Sequence, residues 1–312
     1  MRNILITGGA GFIGSSLAEK LVKDPENFVV VVDNLQTGST AKLPKVDFGN
    51  FKFIKADVND FNDISSVFYA FRFDYVFHYA ALVGVKRTLA NPTKVLNDIT
   101  GIKNVLNLSK NTSVQRVYYS SSSEVYGEPV EYPQNEHTTP LNSRLPYAIV
   151  KNVGEAYLRA YQQEFGLDFT IFRFFNTYGP KQSVDFVMSK FISSALRNKD
   201  ITIYGDGTQT RTFCYIDDNV EASINAFSQN KFVNDVMNIG SEKETAIIDL
   251  AHLIKDLTGS KSNIVHLPPL KDGDMTRRKP DNSKMLKLIN RELTSIDEGI
   301  KQILNHHQFI LT

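Results

Sequence analysis

The chain has 312 residues, with 35 Lys and Arg against 34 Asp and Glu, a formal charge of +1 and neither an acidic nor a basic tail. That length allows a large core beside a second, smaller domain, and the balanced charge gives no reason to expect nucleic acid as a partner. A single cysteine, Cys214, excludes an internal disulfide and leaves no thiolate cluster for a metal, so a cytoplasmic setting and no metal site are expected. The apolar run Ile4-Leu5-Ile6 is far too short for a signal peptide, and no window approaches the roughly twenty apolar residues of a membrane span, so no membrane partner is expected.

Short apolar runs alternate with amphipathic stretches from the start. Asn3 to Thr7, Phe28 to Asp33, Phe51 to Lys55, Phe73 to His78 and Val114 to Ser120 read as strands buried on both faces. Gly11 to Lys23, Asp63 to Phe71 and Pro92 to Ser109 read as crossover helices, the last opening on a proline suited to a first helical position. Repeated strand–helix–strand units imply a parallel, doubly wound sheet. Glu128 to Arg144, with Pro129, Pro133 and Pro140, reads as a loop leading away from it. A helix over Leu145 to Phe165 and a buried strand over Asp168 to Phe174 come next. Later come a helix near Asp185 to Arg197, strands around Ile201 to Tyr204 and Thr210 to Ile216, and helices over Asp217 to Phe227 and Thr245 to Thr258, the last stopped by Gly259. The fold class is therefore α/β, a Rossmann doubly wound parallel sheet over 1–175, with later returns of the chain, and a smaller C-terminal α/β lobe over 176–312.

Gly8, Gly11 and Gly14 come directly after the first strand and open the first helix, around Phe12 and Ile13. Absent side chains let a pyrophosphate approach the backbone and a helix N-terminus whose amides favour an anion. Asp33 ends the second strand about twenty residues on, where a carboxylate accepts from ribose hydroxyls and repels a 2′-phosphate, which points to NAD. Asn34 adjoins it. Asp57 and Val58, after the third strand, read as an adenine contact or an ordinary strand-end turn. Small residues around Ala80 end the fourth strand where a cofactor would pass, and His78 reads as a packed histidine.

Tyr147 and Lys151 lie four residues apart, on one helix face. A phenol titrates near pH ~10 in water, so to act as a base it needs a neighbouring cation, and Lys151 can also hold the nicotinamide ribose. The strand before them ends in Ser120 to Ser123 and Glu124, at the sheet edge where ligands of such folds bind. Ser122 can hydrogen-bond the hydroxyl that Tyr147 deprotonates, whereas Ser120 and Ser121 read as residues capping their own backbone.

The glycine loop, Asp33, Ser122, Tyr147/Lys151 and Arg173-Phe174-Phe175-Asn176-Thr177-Tyr178-Gly179-Pro180 together resemble the extended short-chain dehydrogenase/reductases that act on nucleotide-sugars. The likeness runs nearly the whole length, through Gln209-Thr210-Arg211 to Arg277-Arg278-Lys279-Pro280. It implies NAD as cofactor, a nucleotide-diphosphate sugar as substrate, and a C-terminal substrate lobe in which Asn176 and Arg211 hold the diphosphate and Arg278 helps there or at the sugar. It also implies a homodimer joined through the helices Pro92 to Ser109 and Leu145 to Phe165, the second presenting Val153, Tyr157 and Tyr161; packing within the chain is the rival use of that face.

Family members share a 4-keto sugar intermediate and differ in its fate. Ser123 and Glu124 resemble the residues of UDP-glucuronate decarboxylases and, in part, 4,6-dehydratases. Leu82-Val83-Gly84-Val85-Lys86-Arg87 lacks the Pro-rich, Tyr-containing segment of the decarboxylases and is more like the epimerases. Lys86 or Arg87 there faces an acidic sugar or solvent. The resemblance thus favours a 4-epimerase, with decarboxylation, dehydration, plain 4-dehydrogenation or a non-catalytic NAD-sensing role as alternatives.

Overall fold

A computed structural model describes residues 1–45, 49–128, 130–269 and 277–306, the side chains of Val85 and Lys86 excepted; Pro129 lies outside the described residues. The chain forms two compact units. The first is Met1–Val125, Ser143–Arg173 and Val220–Met237; the second is Tyr126–Asn142, Phe174–Asn219 and Asn238–Thr312.

The first unit is built on β1 (Arg2–Thr7), β2 (Asn27–Asp33), β3 (Phe51–Lys55), β4 (Tyr75–His78), β5 (Arg116–Ser122) and β6 (Asp168–Phe174). With Asp235–Ile239 these make a seven-stranded sheet whose order runs from that last strand through β6, β5, β4, β1 and β2 to β3. The pairings among β1 to β5 are parallel. Strand order reverses between β1 and β4, which pair with Thr7 opposite His78, so the loops leaving those two residues flank the switch point where doubly wound folds bind ligands.

Side chains alternate across each strand, so Leu5, Val30, Val76, Val117 and Ile171 share one core. That face is covered by α2 (Phe61–Phe71), α4 (Pro92–Asn111) and α5 (Pro146–Phe165), through Phe68, Val105 and Leu158 among others. On the other face Phe77 stacks on Tyr118 at 4.5 Å, with Phe227 of the helix Ile216–Ser228 edge-on to both. Each such side chain contributes about 1.5–3 kcal/mol when buried. α1 (Phe12–Leu21) comes after β1, and a short α3 (Val85–Ala90) precedes α4.

The strand expectations hold for β1, β2, β4, β5 and β6 to within two residues, but β3 is not buried on both faces. Lys52 and Lys55 are exposed because β3 is a sheet edge, where charged side chains discourage pairing with another chain. Sequence reasoning missed Asp235–Ile239 and α3.

In the second unit, Ile201–Tyr204 pairs in parallel with Ile264–Leu267, and Thr210–Thr212 pairs antiparallel with Glu244–Ala246. The single expected strand over Thr210 to Ile216 is broken, with Cys214–Tyr215 pairing instead with Thr177–Tyr178. The helix Ile247–Thr258 ends on Gly259 at φ 61°. Among the described residues no helix is long and apolar enough to cross a membrane.

Candidate active site

The loop after β1 continues onto the neighbouring strand, Gly8 and Gly9 N–H both donating to Val32 O at 2.8 and 3.3 Å. Gly8 sits at φ 67°, and a Cβ there would lie 2.6 Å from Ala80 N, so the close approach of the Tyr79–Ala80 backbone requires this glycine. A Cβ on Gly14 would meet Gly8 O at 2.6 Å, which ties the start of α1 to the loop. Gly11 differs. Its φ of −77° suits any residue, and a Cβ would meet only Gly8 O, at 3.0 Å.

Asp33 is buried at the end of β2, where Oδ2 accepts from Ala10 N–H at 3.0 Å and Oδ1 from Leu35 N–H at 2.8 Å. Burial raises its pKa, and the two amides work against that rise. Asn34 Nδ2 donates to Asp57 Oδ2 at 3.0 Å, while Asp57 Oδ1 accepts from Asn59 N–H and Val58 O accepts from Asn104. Asp57 therefore forms the strand-end turn and also fixes the Asn34 side chain. His78 is a packed residue: Nδ1 bonds Thr7 Oγ1 at 2.8 Å, the ring stacks on Tyr119, and burial holds its pKa down to about 3.

Tyr147 is half-buried and Lys151 is buried on the same face of α5, with Nζ 5.8 Å from the Tyr147 ring centroid and 4.9 Å from that of Tyr119. Nζ donates to the main-chain O of Ser120 at 2.5 Å and to its Oγ at 3.3 Å. Burial lowers the Lys151 pKa to about 8, and the charge of half-buried Asp98 on α4 pulls it upward. Ser122 Oγ accepts from Glu124 N–H at 3.2 Å; Ser123 is buried and Glu124 half-buried in the turn that ends β5. Ser120 and Ser121 do not cap their own backbone. Both lie within β5, the Ser120 hydroxyl reaching His78 O at 3.3 Å and the Ser121 hydroxyl Glu155 Oε1 at 2.6 Å.

In the second unit, Asn176 has φ 31°, and its Nδ2 is buried without a hydrogen-bond partner. Arg211 is half-buried, with Nη1 on Thr210 O at 2.7 Å, and Arg278 is buried, so neither is a solvated surface arginine. The Lys86 backbone lies in α3, and its side chain is outside the described residues. Arg87 Nη1 donates to Val83 O at 2.9 Å.

The model of the NAD dependent epimerase/dehydratase family matches residues 4–240. The chain belongs to that family. Among curated members, UDP-glucuronic acid decarboxylase 1 of Danio rerio is 35% identical over 314 residues, covering 98% of this chain and 72% of its own length. A putative UDP-glucose 4-epimerase of Methanocaldococcus jannaschii is 33% identical over 308 residues, covering 97% of each. Among solved structures, a UDP-glucose 4-epimerase of Thermotoga maritima, crystallised with UDP-glucose, superimposes with a TM-score of 0.91 at 33% identity, covering 97% of this chain and 98% of that one. The chain is thus an NAD-dependent enzyme of the epimerase/dehydratase family, which sets aside the non-catalytic alternative.

The residues present fit the cofactor that this family uses. α1 is capped at its N-terminus by Gly11, with no side-chain cap and no acid in its first turn, so its dipole is left for an anion, and Gly11 offers bare backbone that its own φ does not demand. Among the described residues no group of three or more His, Cys, Asp or Glu is placed to hold a metal. Sequence reasoning misread Ser120 and Ser121 and missed Glu155 and Asp98. Glu155 carries a usable signal, since it repeats the four-residue step from Tyr147 to Lys151; nothing in the sequence pairs Asp98 with Lys151.

Proposed function

We propose that this enzyme is a 4-epimerase of a nucleotide-diphosphate sugar that keeps NAD through its cycle. The observation that carries the carbon-4 chemistry is the buried Lys151 ammonium beside the Tyr147 ring and tied to the end of β5. When bound, NAD would supply a reversible hydride acceptor for carbon 4. Tyr147, a phenolate beside the Lys151 charge, takes the proton of the carbon-4 hydroxyl and returns it when that hydroxyl re-forms. Ser122 donates a hydrogen bond to the same oxygen and keeps its proton, its Oγ being held by Glu124 N–H. Gly8, Gly11, Phe12, Ile13 and Gly14 hold the pyrophosphate of NAD. Asp33 and Asn34 hold its adenosine ribose, Asp57 and Val58 its adenine, and Ala80 lines its path. Asn176, Arg211 and Arg278 hold the substrate diphosphate and Lys86 the sugar. The Asn176 Nδ2, buried and without a hydrogen-bond partner, supports this assignment.

Epimerisation rather than decarboxylation is supported by residues 82–87, where Gly84 at φ 102° opens α3 without the proline and tyrosine of the decarboxylase pattern. A second reading, decarboxylation or dehydration through the same 4-keto sugar, is supported by Ser123-Glu124 and the decarboxylase likeness. We further propose a cytoplasmic homodimer serving polysaccharide biosynthesis. Leu96 on α4 and Ile149 and Phe165 on α5 are exposed, which supports dimerisation, although Tyr161 already donates to Asn107 within the chain. Mass across a dilution series tests the dimer, and a monomer at micromolar concentration rejects it.

To test the chemistry, cofactor released on denaturation is identified, and fresh enzyme is incubated with a panel of nucleotide-sugars while reduced nicotinamide and product mass are monitored. Unchanged mass without net NADH is expected. Loss of carbon dioxide or water selects the second reading, and accumulating NADH with a product two hydrogens lighter selects a 4-dehydrogenase.

A further inference from the structure

Consecutive residues of β5 grip α5 at two points one turn apart. Lys151 Nζ donates to Ser120 O at 2.5 Å, and the next residue, Ser121, donates its hydroxyl to Glu155 Oε1 at 2.6 Å. Between the two ties the helix backbone packs on the side chain of Tyr119 from β5, where a Cβ on Gly154 would collide with Tyr119 Oη. Behind the second tie, Arg173 at the end of β6 holds Glu155 with both ends of its guanidinium, Nε to Oε1 at 2.9 Å and Nη2 to Oε2 at 2.7 Å. Glu155 and Arg173 are each 1% exposed. One tie lets a helix roll about its contact; two at different heights fix its rotation. A buried ion pair is weak as a source of stability, because desolvation offsets much of its attraction, but its geometry is directional.

We propose that Ser121 and Glu155 are positioning residues of the active site, forming with Arg173 the second point of a clamp that sets the rotation of α5 and hence the placement of Tyr147 and Lys151 against the end of β5. The proposal rests on the assignment of carbon-4 chemistry to Tyr147 and Lys151. A purely structural ion pair would change how much enzyme is folded. A clamp changes what each folded, NAD-loaded site can do.

The test is Ser121→Ala, which removes one hydroxyl and leaves the ion pair intact, with Glu155→Gln as a harsher companion and Tyr147→Phe as a control. Activity is expressed per bound NAD, with melting temperature recorded separately. We expect Ser121→Ala to lower kcat about ten-fold or more, since small misplacements of catalytic groups are costly, while KM stays within about two-fold. The alkaline limb of the kcat profile should move to lower pH, because a loosened Ser120 carbonyl no longer favours the charged ammonium. The other groups facing Lys151 are Asp98 from α4, His78 from β4, Tyr119 from β5 and Tyr147 on its own helix, and none of them is altered. Unchanged kcat per NAD-loaded site with an unmoved alkaline limb overturns the clamp, even if melting falls. Hydride transfer persisting in Tyr147→Phe overturns instead the assignment on which the clamp rests.

Discussion

Lys151 Nζ donates to the main-chain oxygen of Ser120 at 2.5 Å. A side chain of α5 is thereby held by an atom of β5 that no substitution removes, and its charge is kept beside Tyr147. Burial lowers its pKa to about 8, and the Asp98 charge is the opposing influence. An activity that needs the charged ammonium is therefore full below that value and lost as pH rises through it. Asp98→Asn should shift the alkaline limb of kcat to lower pH. Stability runs the other way, because the folded value lies below the ~10.4 of an unfolded lysine and the cost of burying the charge is relieved as pH rises from about 8 to about 10.4. Rate profiles of wild type and Asp98→Asn check the first statement, and an identical limb in the two rejects it.

Gly11 and Gly14 should fail differently when changed to alanine. At Gly14 the new Cβ would meet Gly8 O at 2.6 Å and Gly9 Cα at 2.8 Å, so α1 must move and stability falls along with cofactor. At Gly11 one contact at 3.0 Å and an ordinary φ leave the fold close to native, while the methyl occupies the surface that a pyrophosphate would approach. NAD content and melting of the cofactor-free protein separate the two. Gly11→Ala with full NAD would remove the loop from the cofactor site.

The contrast shows which parts of the molecule were legible. β1, β2 and the glycine loop are local signals: an apolar run, glycines and an acid in fixed order. The strand Asp235–Ile239 was not legible, because it carries Asp235 and Asn238 and owes its place to pairing far along the chain. At the site, Tyr147 and Lys151 announce themselves by helical spacing. Ser120 and Ser121 were misread because their partners, His78 O and Glu155, are 42 and 34 residues away, and a run of serines looks the same in a turn as in a strand.

Asn176 tests the second unit. Its Nδ2 is buried without a partner, and its φ of 31° is one that asparagine and aspartate tolerate better than most residues. Asn176→Asp keeps the shape and exchanges the donor for an acceptor. Against a diphosphate this should raise KM for the nucleotide-sugar at least about ten-fold, equivalent to about 1.4 kcal/mol, with little change in melting. A KM equal to wild type would take Asn176 out of the substrate site.

His78 provides a pH dependence of stability that is separate from catalysis. Burial, reinforced by the nearby Lys151 charge, holds its pKa down to about 3, whereas an unfolded histidine titrates near 6.5. The unfolded chain therefore binds the proton first, and folding is favoured in full only above pH ~6.5. The stability it contributes is lost progressively as pH falls from there through about 3, with a slope approaching about 1.4 kcal/mol per pH unit. His78→Asn is expected to lower stability at neutral pH, since the Nδ1 bond to Thr7 Oγ1 at 2.8 Å and the stack on Tyr119 are lost, yet to show a flatter acid dependence. Urea midpoints at several pH values between about 7.5 and 5, compared between the two proteins, report the slopes independently of the starting stability. Parallel slopes would mean that the imidazole binds its proton in the folded state as readily as in the unfolded one, contrary to its buried position at the end of β4 beside Thr7.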